Sequence, residues 1–165
     1  MTKSESIALF GALNTLGKLK GVKFAYAVSR NVSILKTELE SLEKASAPSK
    51  EFEEFEKKRI ALVEGFSKKD KDGKPEKKGN NYIIEDGKQE DLDKAFEALK
   101  KENQELWDSR LKQIEEYNEL LKTDSSVVLH KISLSDVPSD INVEQMHSIT
   151  AMVEDATPSP YNPKE

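Results

Sequence analysis

Histidine and cysteine are common metal ligands, bases and nucleophiles, and this chain contains few of them. It has no cysteine, which excludes disulfides, thiolate metal sites and cysteine nucleophiles. Its two histidines, His130 and His147, fall in different predicted elements, and no motif supplies carboxylates at the spacing of a zinc site. We interpret both as surface residues, His130 half-exposed in a strand and His147 on a helix.

Acidic residues are abundant, but their pattern is typical of solvated helix faces. Asp70, Asp72 and Glu76 around Gly73 bear a superficial similarity to a calcium-binding loop. Lysines fill the intervening positions, however, and the final glutamate is out of phase. The seven glycines are scattered and form no phosphate-binding loop. Since no nucleophile–base pair is evident either, we expect no enzymatic activity, no cofactor and no bound metal.

The lysine-rich segment 68–78 is the one basic patch of the chain. Proteins that bind nucleic acids usually combine such a patch with aromatic residues and a basic overall charge. Here acids are interleaved with the lysines, the segment itself contains no aromatic residue, and the chain carries a net charge of −5. We therefore predict a solvated loop over residues 67–81 and no nucleic-acid partner.

Composition and charge indicate a lean helical protein. Of its 165 residues, 36% are hydrophobic and 35% are charged, which suits an elongated helical hairpin or a small bundle. Basic residues dominate up to Lys36, whereas residues 85–119 and the stretch after Ser135 are acidic. Such a chain either places its basic start near its acidic end or presents an acidic face to a basic partner.

The apolar content is too interrupted for insertion into a membrane. No segment offers the roughly 20 apolar residues that a membrane span needs. The apolar stretch within residues 1–20 is broken by Gly11, Asn14 and Gly17 and has no cleavage pattern. We therefore expect neither a signal peptide nor a membrane partner.

Two long segments have apolar residues in alternating steps of four and three, the pattern of an amphipathic helix or a coiled coil. In residues 22–45 these are Val28, Val32, Leu35, Leu39 and Leu42, and in residues 90–121 they are Leu92, Phe96, Leu99, Leu106, Ile114, Tyr117 and Leu121. A first helix is predicted up to about Leu19, and a third from the turn at residues 46–49 to about Phe66. The short turn makes the second and third helices antiparallel neighbours.

Two segments, 82–85 and 126–134, read as short strands. Because two strands are marginal alone, we expect them to pair with each other against the helices. The longest helix, over about 89–121, lies between them. Near the end of the chain, Asn142 and Gln145 predict a capping box that begins a short last helix.

The predicted fold is therefore mainly α: an antiparallel helical hairpin plus a third long helix, with a small two-stranded β ribbon. Residues 1–153 are expected to form a single helical domain in which the basic loop 67–81 is inserted. The acidic, proline-rich residues 154–165 are expected to form a flexible tail.

Polar residues interrupt the apolar stripe of the longest helix at Asn103 and Arg110, and Trp107 lies beside it. Polar groups in a packed seam often fix the register or the oligomeric state of helices. The alternative is that the stripe simply reaches the surface there. The step from Arg110 to Ile114 adds a residue to the seven-residue repeat, so we expect a local change of winding. The candidate protein-binding residues are Asn103, Trp107, Arg110 and Ile114.

Three segments are distinctive in sequence and in order: VKFAYAVSRNVSILKTELESLEKA with its Arg30-Asn31 pair, the charged turn at residues 69–74, and HKISLSDV. Together they resemble an uncharacterised family of small proteins from tailed bacteriophages and prophages. The resemblance extends to about Val153. It implies a viral origin, an accessory or assembly role, and a location in the host cytoplasm or on the virion. It assigns no catalytic residue.

Two functions remain open from the sequence. The first is a non-enzymatic phage accessory protein that binds a phage structural protein or a host protein, as a particle or assembly component or as a homo-oligomer. The second is a host-directed inhibitor in which the acidic face of residues 85–119 mimics a nucleic acid and blocks a host or defence enzyme. Salt-sensitive binding to a basic enzyme is expected only of the second.

Overall fold

The structure, a computed structural model, describes residues 1–154. Its helices are α1 (Lys3–Thr15), α2 (Val22–Ser46), α3 (Lys50–Phe66), α4 (Gln89–Glu102), α5 (Gln104–Lys122) and α6 (Val143–Ile149). Its strands are β1 (Lys77–Lys78), β2 (Asn81–Tyr82), β3 (Ile132–Ser133) and β4 (Val153–Glu154). The mainly helical fold with a small antiparallel ribbon is confirmed. Apart from Glu154, the predicted tail 154–165 lies outside the described residues.

The chain divides into two compact units. The first, here called the terminal unit, comprises Met1–Ser46 and Tyr117–Glu165, and the second, the central unit, comprises Ala47–Glu116. The single domain that we expected over residues 1–153 stays a prediction.

The terminal unit has a mainly aliphatic core in which α1 packs against α2 and α6. The capping box at the start of α1 joins Thr2 and Glu5: the Glu5 N–H donates to the Thr2 hydroxyl at 3.2 Å, and the Thr2 N–H donates to the Glu5 carboxylate at 2.7 Å. The buried core residues are Leu9, Leu13, Leu16, Phe24, Ala27, Leu35, Ile132, Ile149 and Met152.

The buried face of α2 differs slightly from the predicted stripe. Leu35 and Leu42 are buried as expected, and Val28, Val32 and Leu39 are half-buried against the same core. The line of fully buried positions instead includes Phe24, Ala27 and the polar Asn31. An apolar pattern alone does not locate this face, because a buried polar side chain, that of Asn31, lies at its centre.

The last helix begins as predicted. The Gln145 N–H donates to the Asn142 side chain at 2.8 Å, and the Asn142 N–H donates to the Gln145 side chain at 3.0 Å. This reciprocal pair satisfies donors that a helix start otherwise leaves unpaired. The capping box of α6 is therefore confirmed.

In the central unit, α3 packs against α4. Val63 near the end of α3 and Leu92 near the start of α4 line the same cleft, as expected of an antiparallel hairpin. The Phe52 N–H donates to the Ser49 hydroxyl at 3.2 Å and so caps α3. A backbone hydrogen bond, and then one to Ser49, lower the pKa of Glu51 in the first turn. The hairpin that the structure shows is thus that of α3 and α4, whereas the predicted neighbours α2 and α3 fall in different units.

The predicted long helix over 89–121 is wrong in one respect, because it is interrupted at Asn103. There the Asn103 side chain donates to the Leu99 carbonyl at 2.8 Å, and its backbone N–H turns to the Lys100 carbonyl at 3.1 Å. The side chain thus takes the acceptor that the backbone N–H would use in a continuous helix. α5 then continues without interruption through Arg110 and Ile114, where we had expected the change of winding.

The predicted pairing between residues 82–85 and 126–134 is also wrong. β2 pairs with β1 in an antiparallel hairpin, and β3 pairs in parallel with β4. The β1–β2 turn has Gly79 at a φ of +63°, a conformation that glycine adopts without steric cost. A hairpin closed by two residues loses less chain entropy than a pairing across the long helical segment.

Most of the lysine-rich loop 67–81 is exposed, as predicted, but Ser67 is buried and the loop is folded. One Asp70 carboxylate oxygen accepts from the backbone N–H groups of Asp72 at 2.9 Å and Lys74 at 2.8 Å. Isolated bridges join Ser67 to Ile84 and Lys69 to Pro75. The carboxylate that bore a similarity to a calcium ligand therefore holds a turn.

Candidate functional site

Trp107 is the centre of an aromatic cluster contributed by three helices of the central unit. Its ring centroid lies 6.3 Å from that of Phe52, 5.8 Å from Phe55 and 6.1 Å from Phe96. Phe55 is buried, and the other three rings are half-buried. Aromatic pairs at these separations contribute about 0.5–1.5 kcal/mol beyond their buried area. The Trp107 cluster therefore joins α3, α4 and α5.

Arg110 reinforces the packing of α5 on α3. Its guanidinium lies 5.6 Å from the centroid of the Phe52 ring, within the range of a cation–π contact. Its Nη1 donates to the Gln113 side chain at 2.7 Å, and Gln113 in turn donates to the Ala47 carbonyl at 2.9 Å. Arg110 is therefore engaged within the chain.

The structure gives three of the four predicted site residues, Asn103, Trp107 and Arg110, partners inside the central unit. Ile114 differs from them because 40% of its surface is exposed. The idea that Asn103 and Arg110 specify an oligomer stays a prediction.

Leu111, one helical turn before Ile114, is 50% exposed and was absent from the predicted stripe. Asp108 and Glu115, at i−3 and i+4 from Leu111, lie on the same side of the helix. We call these four residues the α5 surface: Asp108, Leu111, Ile114 and Glu115. No residue of α5 is fully buried, although the helix is amphipathic. The signal in the sequence was that Leu111 does not fall in the apolar stripe.

The acids of α4 and α5 are interleaved with lysines. Glu116 lies 3.7 Å from Lys112, and Asp91 lies 3.7 Å from Lys88. Asp108 accepts a hydrogen bond from Gln104 at 2.8 Å. The acidic excess of this region is thus partly neutralised at its surface, and it does not form an unbroken row of carboxylates.

Asn31 in the terminal unit is the structural residue that the sequence reading missed. It is fully buried, and its side chain accepts from the His130 N–H at 2.7 Å and donates to the His130 carbonyl at 2.9 Å. The carboxamide thus imitates a neighbouring strand for the extended chain before β3. We call this pair of bonds the Asn31 clamp. The signal in the sequence was an asparagine in step with Ala27 and Leu35.

The histidines take the places expected of surface residues. The His130 ring is half-exposed and meets the Tyr26 ring edge-on at 5.4 Å, and His147 is exposed on α6. His130 lies in extended chain just before β3 and not within a strand. Among residues 1–154, no group of three or more metal-ligating side chains is placed to hold an ion.

Two further shifted pKa values on α3, those of Glu54 and Lys57, arise from an exposed ion pair. The Lys57 side chain donates to Glu54 at 2.6 Å, and this hydrogen bond lowers the pKa of Glu54 and raises that of Lys57. An exposed pair one turn apart is typical of helix surfaces and does not indicate acid–base catalysis. None of the helices within the described residues is long and apolar enough to cross a membrane.

Comparison of the chain with protein-family models, with curated proteins and with solved structures finds no match in any of the three.

Proposed function

We propose that this chain is a non-enzymatic protein that binds another protein through the α5 surface. The observation that carries the proposal is the exposure of Leu111 and Ile114, at 50% and 40%, on a helix fixed in place by Trp107. Fully burying a leucine or isoleucine side chain contributes about 1.5–3 kcal/mol. Two half-exposed residues one turn apart retain part of that free energy for a partner.

The charges beside the apolar pair favour a basic partner. Asp108 and Glu115 flank Leu111, and the Glu115 carboxylate has no hydrogen-bond or ion-pair partner within residues 1–154. A partner helix with apolar residues bordered by lysine or arginine matches this arrangement in shape and charge. A second copy of the same surface would bring carboxylates close to carboxylates, which disfavours self-association there.

We propose a phage setting because segments of the sequence resemble phage proteins. A phage accessory protein would meet either a structural protein of the particle or a protein of the bacterial host. The α5 surface is compatible with both, and the identity of the captured protein distinguishes them.

The alternative function is inhibition by nucleic-acid mimicry, supported by the acidic excess of α4 and α5. The lysines that pair with these acids weaken the imitation, because a nucleic acid offers closely spaced, uninterrupted negative charge. The affinity of a mimic for a basic enzyme would fall steeply as the salt concentration rises, whereas the affinity of an apolar interface changes little.

The test compares tagged wild-type protein with the variant Leu111→Ser/Ile114→Ser. A matched control, Val22→Ser/Val143→Ser, removes two apolar side chains that are 90% and 87% exposed elsewhere. Each is purified from infected and uninfected bacterial cells at low and high salt. We expect the wild type and the control to retain one defined protein at high salt. The amount of that protein captured by the α5 variant should be at least tenfold lower.

The captured protein is then purified and its affinity measured by calorimetry. An affinity that is equal for the α5 variant and the control contradicts the proposal. Capture of a basic host enzyme that is lost at high salt from all three proteins supports mimicry instead. A concentration-dependent doubling of the mass of the wild type alone would identify a second copy of this chain as the partner.

A further inference from the structure

The central unit contains a cleft that the α5 surface does not use. It has a volume of about 540 Å³ and lies between the second half of α3, the β1–β2 hairpin and the start of α4. Its lining residues are Arg59, Ile60, Val63, Lys77, Asn80, Asn81, Tyr82, Ile84 and Leu92. Clefts of this size are typical of sites for small organic ligands.

The apolar part of the cleft comes from the helices and from the chain after β2. Leu92 is buried and Val63 and Ile84 are half-buried, whereas Ile60 remains 39% exposed. An isoleucine left partly open in a concave surface retains apolar area that a ligand can cover. This part of the cleft fits an alkyl chain or a leucine-like side chain.

The β1–β2 hairpin contributes the polar part of the cleft, and the Tyr82 side chain makes two contacts there. The Tyr82 hydroxyl donates to the Glu64 carboxylate at 2.6 Å, and the Lys77 Nζ lies 4.2 Å from the centroid of the Tyr82 ring. The ring and the ammonium group are thus positioned before any ligand binds. Preorganisation of this kind lowers the entropic cost of binding.

Two cationic side chains line the cleft, and only one of them has a carboxylate partner within residues 1–154. The Arg59 side chain is paired with Glu56 through Nε and Nη2, at 2.8–3.1 Å. Lys77 forms no ion pair within residues 1–154, and its contact there is the Tyr82 ring. The side-chain amides of Asn80 and Asn81 form no hydrogen bond within the same residues, so their N–H donors are available.

We propose that this cleft binds a carboxylate attached to an apolar group. Lys77 receives the carboxylate, the amides of Asn80 and Asn81 donate to it, and Ile60 with its apolar neighbours covers the hydrocarbon. Two sources share this chemistry: a free carboxylic acid and the C-terminus of a peptide that ends in an apolar residue. The lysine-rich loop would then supply the polar groups of a binding site.

The test is a titration of the full chain, followed by amide chemical shifts in NMR. Three probes are used: octanoate has both the apolar chain and the carboxylate, octanol has the apolar chain without the charge, and acetate has the charge without the chain. We expect octanoate to bind at least tenfold more tightly than either of the others and to shift the amides of Lys77, Asn81 and Tyr82. Acetyl-glycyl-leucine and its C-terminal amide form the second arm, and preference for the free acid identifies a peptide terminus as a source.

Two lysine variants separate the cleft from general charge effects. Lys77→Gln is expected to weaken octanoate binding about tenfold, to the level of octanol. Lys71→Gln, in the same loop but outside the cleft, is expected to leave it unchanged. An unchanged amide spectrum away from the hairpin shows that both variants are folded.

Equal binding of octanoate and octanol overturns the proposal, as do equal losses in the two lysine variants. Shifts that map outside the cleft also overturn it. None of these outcomes bears on the α5 surface, whose test uses different residues.

Discussion

The two units of this protein differ in how completely they bury their apolar residues. The terminal unit has a closed, mainly aliphatic core around Leu13, Leu35 and Met152, and the buried amide of Asn31 is hydrogen-bonded to the backbone of His130. In the central unit the buried apolar residues are Phe55 and Leu92, and Trp107 with its other aromatic neighbours is only half-buried. A closed core stabilises the fold, whereas an open one leaves apolar surface and clefts for partners.

The largest expected effect comes from placing a charge in the closed core. Leu35 is fully buried, so Leu35→Asp leaves a carboxylate without a partner among aliphatic side chains. We expect a loss of stability above about 4 kcal/mol, enough to unfold the terminal unit. Thermal unfolding followed by circular dichroism measures it, with the exposed Ser33→Asp on the same helix as control. A melting curve like that of the wild type would contradict the assignment of this core.

The next largest effect comes from removing the anchor of the open core. Trp107→Ala should destabilise the central unit by about 2–3 kcal/mol, somewhat less than a fully buried aromatic residue would cost, because the ring is half-exposed. Denaturant unfolding followed by circular dichroism measures the loss. Trp107→Phe keeps an aromatic ring and should cost less than half as much. Equal losses in the two variants would show that the ring contacts do not hold the helices together.

Breaking the Asn31 clamp should have a similar or slightly smaller effect. Asn31→Ala leaves the part-buried N–H and C=O of His130 without their partner, and an unsatisfied buried group costs about 1–3 kcal/mol. We expect a loss of about 2 kcal/mol in denaturant unfolding and faster amide hydrogen exchange at His130. Asn14→Ala, which removes an exposed asparagine bonded to the Phe10 carbonyl, should stay within about 0.5 kcal/mol. Unchanged exchange at His130 would exclude the clamp.

The smallest effect is expected at the interruption between α4 and α5. Asn103→Leu removes the side chain that bonds to the Leu99 carbonyl and should allow one continuous helix. We expect a change in stability within about 1 kcal/mol, a slight gain of helical signal and an unchanged mass in solution. A changed mass, measured by light scattering, would instead support the oligomer-specifying role predicted from the sequence.

Local signals in the sequence predicted local structure well. The capping box of Asn142 and Gln145, the helical character of residues 22–45 and the turn before α3 each depend on groups within a few residues of one another. Pairings between distant segments were predicted poorly. The β segments were assigned to each other because nothing local showed that Tyr82 has a hairpin partner in the lysine-rich loop.

The candidate site was predicted in part for the same reason. Trp107 was predicted to be a site residue from its place beside the apolar stripe, and the structure surrounds it with Phe52, Phe55 and Phe96. Leu111 was missed because its exposure depends on which side of α5 meets α3. The cleft at Lys77 was missed because it needs the hairpin folded beside α3.

The sequence by itself determined the helical class of this protein, most helix starts, and the scarcity of groups for catalysis. These follow from residue type and short-range spacing, which fix hydrogen bonds within one or two turns. Only the tertiary structure decided that Asn31 is buried, that Leu111 and Ile114 are exposed and that Lys77 faces a cleft. Burial is a property of contacts between distant segments, and so a polar residue can be internal and an apolar one external without any change in the local pattern.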